Sequence, residues 1–178
     1  MFSVRTMRKV IVISGILIVV IILFLSSLTL VKQHDRGAIT YRLSKSTIQQ
    51  VKKETKGMDE KKIIDYSLNL TCEMLEFGRN NEISNGKANC IGYAQLCSAI
   101  CNEALRNNGY RYRAKPVVGY IKSFGLNLCS IAKSLMTNQK YKAFVKDHDF
   151  VELGFKGKTY YFDPSIYDVL GNKCLTVK

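Results

Sequence analysis

Residues 148–165 read HDFVELGFKGKTYYFDPS, and the alternation within them decides the fold class. His148–Phe155 alternates in polarity, Lys156, Gly157 and Lys158 read as a turn, and Thr159–Phe162 pairs back as the second strand of a hairpin. The ends of this hairpin hold His148 and Asp163. A three-residue turn sets residues near its two mouths opposite each other, so these side chains are expected as near neighbours. Working upstream, 122–141 is ambiguous, with Leu128, Ile131 and Leu135 allowing a short helix. Tyr112–Ile121 reads as a strand, with Pro116 near its start or on an edge.

Before the strands the period changes to 3.6. Cys90–Asn107 reads as a helix with Ala94, Cys97, Cys101 and Leu105 along one face, Asn89 at the N-cap and Gly109 as the stop. Asp59 caps another helix to about Phe77, with Ile64, Leu68, Cys72 and Leu75 as its core stripe. Ser46 or Thr47 caps a short helix to about Thr55, and Gly57 ends it. Arg79–Asn89 is dense in Asn and Gly and reads as an exposed loop. The expected fold is α+β, with a Cys-bearing helix packed on an antiparallel sheet.

The N-terminal region is different. Val10–Val31 carries no charge across 22 positions, about 33 Å as a helix, which matches a bilayer's hydrocarbon core. A cleaved secretory signal has a shorter apolar region and an A-x-A-like site, for which Ser26–Leu30 is a poor match, and a domain of this size rarely encloses so long a core helix. The expectation is an uncleaved signal-anchor over 10–31, a cytoplasmic segment over 1–9, a linker over 32–45 and one domain over 46–178. Arg5, Arg8 and Lys9 precede the span and outweigh Lys32, Arg36 and Asp35 after it, which places the C-terminal domain outside the cytoplasm.

The 178-residue chain has a formal net charge of +13, and near-average proportions of apolar and charged residues exclude wholesale disorder. Residues 37–178 retain 22 Lys and Arg against 13 Asp and Glu, so the basic character belongs to the domain. Between Glu103 and Asp147 lie nine cations, from Arg106 to Lys146, and no acid. The bland reading of this stretch, 106–146, is a solvated, membrane-facing surface. The sharper reading is a site for anionic lipid headgroups or an anionic polymer, with nucleic acid disfavoured because no recognition motif accompanies the charge.

Chain order then brings chemistry into view: a Cys at a helix start, a His opening a strand and an Asp closing the next. Thiolate, imidazole and carboxylate in this set are what nucleophilic acyl chemistry requires. At Cys90 the unpaired backbone N–H groups and the positive end of the helix dipole stabilise a thiolate, a setting the other five cysteines lack. Taken singly, Cys90 would read as core, His148 as a strand histidine and Asp163 as a turn residue before Pro164. His34, the only other histidine, lies beside the expected membrane, which leaves His148 as the credible base. The backbone amide of Cys90 is a natural oxyanion donor; Asn85 and Asn89 are candidates for a second.

The segments GKANCIGYAQL (86–96), HDFVEL (148–153) and YFDPS (161–165) resemble the three blocks of the transglutaminase-like superfamily, and Gly119 in VVGYI suits its strand before the His block. The likeness covers roughly residues 60–168. It implies a papain-like α+β core and carries the catalytic roles onto Cys90, His148 and Asp163. Phe150, Phe162 and Ile91 stand where the family often has Trp, and the chain has no Trp at all, so the resemblance implies hydrolysis ahead of cross-linking. The expected function is a membrane-anchored cysteine acyl-transfer enzyme or hydrolase acting on protein or peptide amide bonds. Two alternatives are a cell-wall cysteine peptidase, whose third polar residue is usually a second His, and an inactive domain of the same fold serving as a scaffold. No cofactor or metal motif is present. Cys72, Cys97, Cys101, Cys129 and Cys174 leave an odd number for pairing and read mostly as core thiols.

Overall fold

A computed structural model describes residues 4–135 and 147–178, with side chains from Val10 onward. Lys140, Lys142 and Lys146 of the basic stretch, and the charges of the 1–9 segment, therefore lie outside the described residues. Helix α1 (Val4–Ser26) leads into strand β1 (Thr29–Asp35), followed by helices α2 (Lys45–Glu54) and α3 (Glu60–Met74). Two short parallel strands, β2 (Glu76–Phe77) and β3 (Lys87–Ala88), flank a single 3-10 turn at Ile83–Asn85. Helix α4 (Cys90–Asn107) precedes β4 (Ala114–Ser123), β5 (Leu126–Asn127), α5 (Leu128–Leu135), β6 (His148–Phe155), β7 (Lys158–Phe162), α6 (Pro164–Leu170) and β8 (Thr176–Val177).

The architecture is α+β. The sheet runs β1-β4-β6-β7-β8 with every pair antiparallel, and β5 pairs with the end of β4. Helix α4 is the central helix: Tyr93, Leu96, Ile100 and Leu105 are buried with Ile64 and Leu68 of α3 and with Val151, Leu153 and Phe162 of the sheet. A second cluster joins Leu28 and Leu30 to Val117, Phe150, Tyr161 and Ile166.

The uncharged run splits where the sequence reads as continuous. The helix expected over 10–31 ends at Ser26, and 29–35, divided between span and linker in the sequence reading, is an edge strand. The hydroxyls of Ser26 and Ser27 donate to the carbonyls of Leu23 and Phe24 (3.0 and 2.8 Å), Leu28 and Leu30 turn inward, and β1 pairs with β4. An apolar strand buried on its core side cannot be told from a helix end by hydrophobicity alone. Among the described residues no helix is long and apolar enough to cross a membrane.

Smaller departures have local causes. Helix α2 is capped by Ser44, not by Ser46 or Thr47: the Ser44 hydroxyl accepts from the Thr47 N–H at 3.1 Å. Helix α3 stops at Met74 rather than near Phe77, because Glu76 and Gly78 donate to the carbonyls of Gly86 and Ala88. The β6–β7 turn holds two residues, Lys156 and Gly157, both at positive φ, and not three. The register Val151↔Phe162 carries on to set Phe150 opposite Asp163 with His148 as its diagonal neighbour, so the two hairpin ends are near neighbours as expected.

Gly119 fixes the sheet next to His148. It pairs with His148 on one side and with Lys32 on the other, where β1 bulges between Lys32 and His34. A Cβ on Gly119 would sit 2.0 Å from the Val31 carbonyl oxygen and 2.9 Å from the Phe150 ring. Gly119→Ala is expected to cost about 2–3 kcal/mol in urea unfolding, whereas Gly154→Ala, with nothing within 4 Å of its Cβ, should stay within about 1 kcal/mol.

Candidate active site

The start of α4 is built by two asparagines. Asn89 caps it, its side-chain oxygen accepting from the Ile91 N–H at 3.0 Å while its own carbonyl accepts from Tyr93 at 3.0 Å. Asn81, from the loop, accepts from the N–H groups of Asn89 and Gly92, each at 3.1 Å. A Cβ on Gly92 would lie 2.9 Å from that Asn81 oxygen, so the glycine makes the contact possible. Among the described residues, the Cys90 N–H is the first-turn donor left without a partner. This suits the expected oxyanion donor. Asn89 is not the second donor: its amide nitrogen is turned to the Arg79 carbonyl at 3.4 Å.

The β6–β7 hairpin and the start of α6 supply the other two members. Asp163 is fully buried, and one of its oxygens accepts three hydrogen bonds, from Ser165 N–H (2.9 Å), Ser165 hydroxyl (2.8 Å) and Ile166 N–H (3.0 Å). The other oxygen bonds His148 Nε2. Cys90 and His148 line the same cleft, and with Nε2 committed to Asp163, Nδ1 is the ring nitrogen left free of that bond. All three residues expected from the sequence thus converge.

Charge supports this geometry. Burial works against an imidazolium at His148, yet the Asp163 carboxylate and the Cys90 sulfur outweigh it and hold His148 well above the ordinary histidine range. Burial likewise opposes ionised Asp163, and His148 with the Ser165 and Ile166 donors holds it below the usual carboxylate value. Imidazolium beside sulfur is the pairing that makes a cysteine nucleophilic.

Cys90 and His148 border a cleft of about 410 Å³ whose walls are otherwise mostly apolar, with Phe77, Ile121, Leu128, Ile166, Val169 and Leu170. The other thiols are placed differently. Burial pushes Cys72, Cys101 and Cys174 up to about 12 and Cys97 well above its usual value, so these remain protonated at neutral pH. All six cysteines are free. Among the described residues, no group of three or more His, Cys, Asp and Glu is arranged to hold a metal ion.

Three parts of the site escaped sequence reading. Asn81 and Ser165 act through backbone geometry, which no spacing rule marks, although Ser165 sits within the YFDPS block. Arg36, expected in a linker, donates from Nε to buried Asp149 at 2.7 Å and lies 4.0 Å from Asp147, so it flanks the residue that bears the imidazole. Asp149 lies 113 positions from Arg36, beyond any local signal. Among the described residues of the basic stretch, Arg106, Arg111 and Arg113 cluster beside Tyr110, while Lys115 is paired with Asp35 and Glu152.

Two measurements follow. Because the folded value of His148 is raised, its contribution to stability is full below about pH 6.5 and is lost as pH rises from there through the raised folded value; the lowered value of Asp163 contributes above about pH 4 and is lost as pH falls through its folded value. NMR titration of the two histidines should give His148 a midpoint above about 6.5, and Asp163→Asn should move it down. Asn81→Ala should cost about 1–2 kcal/mol in denaturant unfolding by freeing two helix-start N–H groups, and should slow alkylation of Cys90 by iodoacetamide.

No protein-family model matches the chain, and no curated protein or solved structure matches it, so the family likeness rests on the three sequence blocks and on the geometry of Cys90, His148 and Asp163 alone.

Proposed function

We propose that this chain is a membrane-anchored cysteine acyl-transfer enzyme or hydrolase of the transglutaminase-like, papain-like type, acting on peptide or amide bonds. The observation that carries the reading is the buried Asp163 carboxylate, fixed by three donors, holding an imidazole in the cleft that the helix-start thiol of Cys90 also borders.

The chemistry follows from the positions. The Cys90 sulfur attacks the substrate carbonyl carbon, and the oxyanion that forms accepts from the Cys90 N–H. As the C–N bond breaks, the His148 imidazolium gives its proton to the leaving amine or ammonia, and a thioester remains. His148, now neutral, takes a proton from an incoming water or amine, which attacks the thioester. The second tetrahedral intermediate collapses to acid or new amide, and sulfur leaves paired again with an imidazolium. Asp163 holds the tautomer and the ring orientation throughout.

Anchoring is supported by α1. Its large apolar side chains from Val10 to Leu23 are exposed, most by more than half. Val10–Ser26 extends about 26 Å as a helix, a few ångströms short of a hydrocarbon core of about 30 Å, so anchoring by this segment asks for local thinning of the bilayer. A bilayer is the surrounding that removes the cost of the exposed apolar side chains. The cell-wall peptidase reading loses ground because the partner of His148 is Asp163, and the other histidine, His34, lies in β1. A scaffold domain has no need of an imidazolium beside a thiol.

The test uses the full chain in liposomes. With Gln-containing peptides the wild type should release ammonia, and Cys90→Ala and His148→Ala should each lose at least about 10³-fold; cleavage of wall peptides with no ammonia release points to the peptidase instead. Iodoacetamide at neutral pH should label Cys90 faster than Cys174. Equal labelling of the two thiols overturns both enzyme readings.

A further inference from the structure

We propose that the turn between β4 and β5 is a bilayer-docking finger, in which Phe124 and Leu126 insert into lipid beside the exit of α1 and hold the cleft of Cys90 just outside the headgroup layer. The proposal rests on the reading of α1 as a membrane anchor.

Phe124 is the first sign. It occupies a two-residue turn with Gly125 at φ values of 48° and 81°, the left-handed region where Asn or Gly is favoured at the first position. A bulky aromatic there is strained. Burial does not offset that strain, since Phe124 is 68% exposed and Leu126 is 61% exposed. Two large apolar side chains at the tip of one hairpin, one in a strained conformation, call for a partner.

Topology identifies the partner as lipid. Strand β1 runs away from α1, and β4 is antiparallel to it, so β4 runs back toward the helix. The register Thr29↔Lys122 brings Ser123 level with the helix exit, where the Ser27 and Ser123 hydroxyls hydrogen-bond at 2.6 Å. Phe124 and Gly125 follow Ser123 and so lie beyond that level, on the side toward the helix. The helix end is fixed against the domain a second time, since the Asn172 amide donates to the Leu25 carbonyl at 2.7 Å and Leu25 packs on the cluster of Leu28, Val117 and Ile166. Lys122 precedes the tip, a cation placed for anionic headgroups.

The finger also sets a height. His148 pairs with Gly119, five residues before Phe124, which is at most about 16 Å along a strand. The reacting carbonyl must then be carried by a substrate presented close to the membrane surface.

The chain contains no Trp, so Phe124→Trp in the full-length protein gives a single reporter at the finger tip. Tyr112→Trp gives a matched control, placed before the far end of β4. In liposomes of phosphatidylcholine and phosphatidylglycerol with brominated acyl chains, the Phe124→Trp protein should emit to the blue of an indole in water and be quenched several-fold more than the control. Flotation and alkaline extraction are read on the same samples. Water-like emission from the Phe124→Trp protein, with quenching no greater than in the control, overturns docking while the anchor stands if the protein floats and resists extraction. Extraction by alkali overturns the anchor and docking together. A blue-shifted indole at the finger tip that bromine does not quench shows a protein partner in place of lipid and also overturns the proposal.

Discussion

Asp163 joins two demands in one carboxylate. One oxygen starts α6 by accepting from Ser165 and Ile166, and the other meets His148 across the hairpin. The helix cap holds the acid ionised and fixed, and the acid in turn keeps the imidazole turned toward Cys90. Each contact is individually modest, about 1 kcal/mol for a neutral hydrogen bond and more for a charged one. Together they satisfy a fully buried charge that would otherwise be costly to hold in the interior. Pro164 contributes at the first position of α6, where a backbone N–H would have no partner within the helix and proline has none to leave unpaired.

The two halves of the site are held by different means. Cys90 is located by α4, the most buried helix of the described residues, whose first turn is satisfied by Asn81 and Asn89. His148 is located by β6 and by Gly119, where the close passage of β1 leaves no room for a side chain. Because α4 packs on the sheet through Ile100, Val151 and Leu153, a shift of the sheet would be felt at the distance between sulfur and imidazole. Rigid contacts from several elements thus converge on three side chains.

Much of this was legible in the sequence. The extent of α4, the Asn89 cap, the β6 strand and the three candidate residues Cys90, His148 and Asp163 follow from periodicity, capping preference and the order of Cys, His and Asp. What escaped is what depends on partners far along the chain. The strand at 29–35 begins inside the same uncharged run as the helix before it and is distinguished only by pairing with residues some ninety positions later. The turn at Lys156 and Gly157 is one residue shorter than the reading, enough to move the position opposite Asp163 from Val151 to Phe150 and to bring His148 to its diagonal. Helix α6 hides behind a D-P turn because it spans only seven residues, too few for a period. Asn81 and Arg36 carry no local mark, since their roles are to satisfy groups on other elements.

The place of β1 has a consequence for how the chain is made. Thr29 is synthesised early, yet its partner Lys122 comes 93 residues afterwards. Until β4 emerges, β1 has no neighbour, and the buried residues Leu28 and Leu30 have no cluster to join. The sheet therefore cannot close from its N-terminal end; β4, β6 and β7 pair over shorter separations, and β1 joins afterwards at the edge. Closing so long a loop slows folding and prolongs exposure of Leu28 and Leu30.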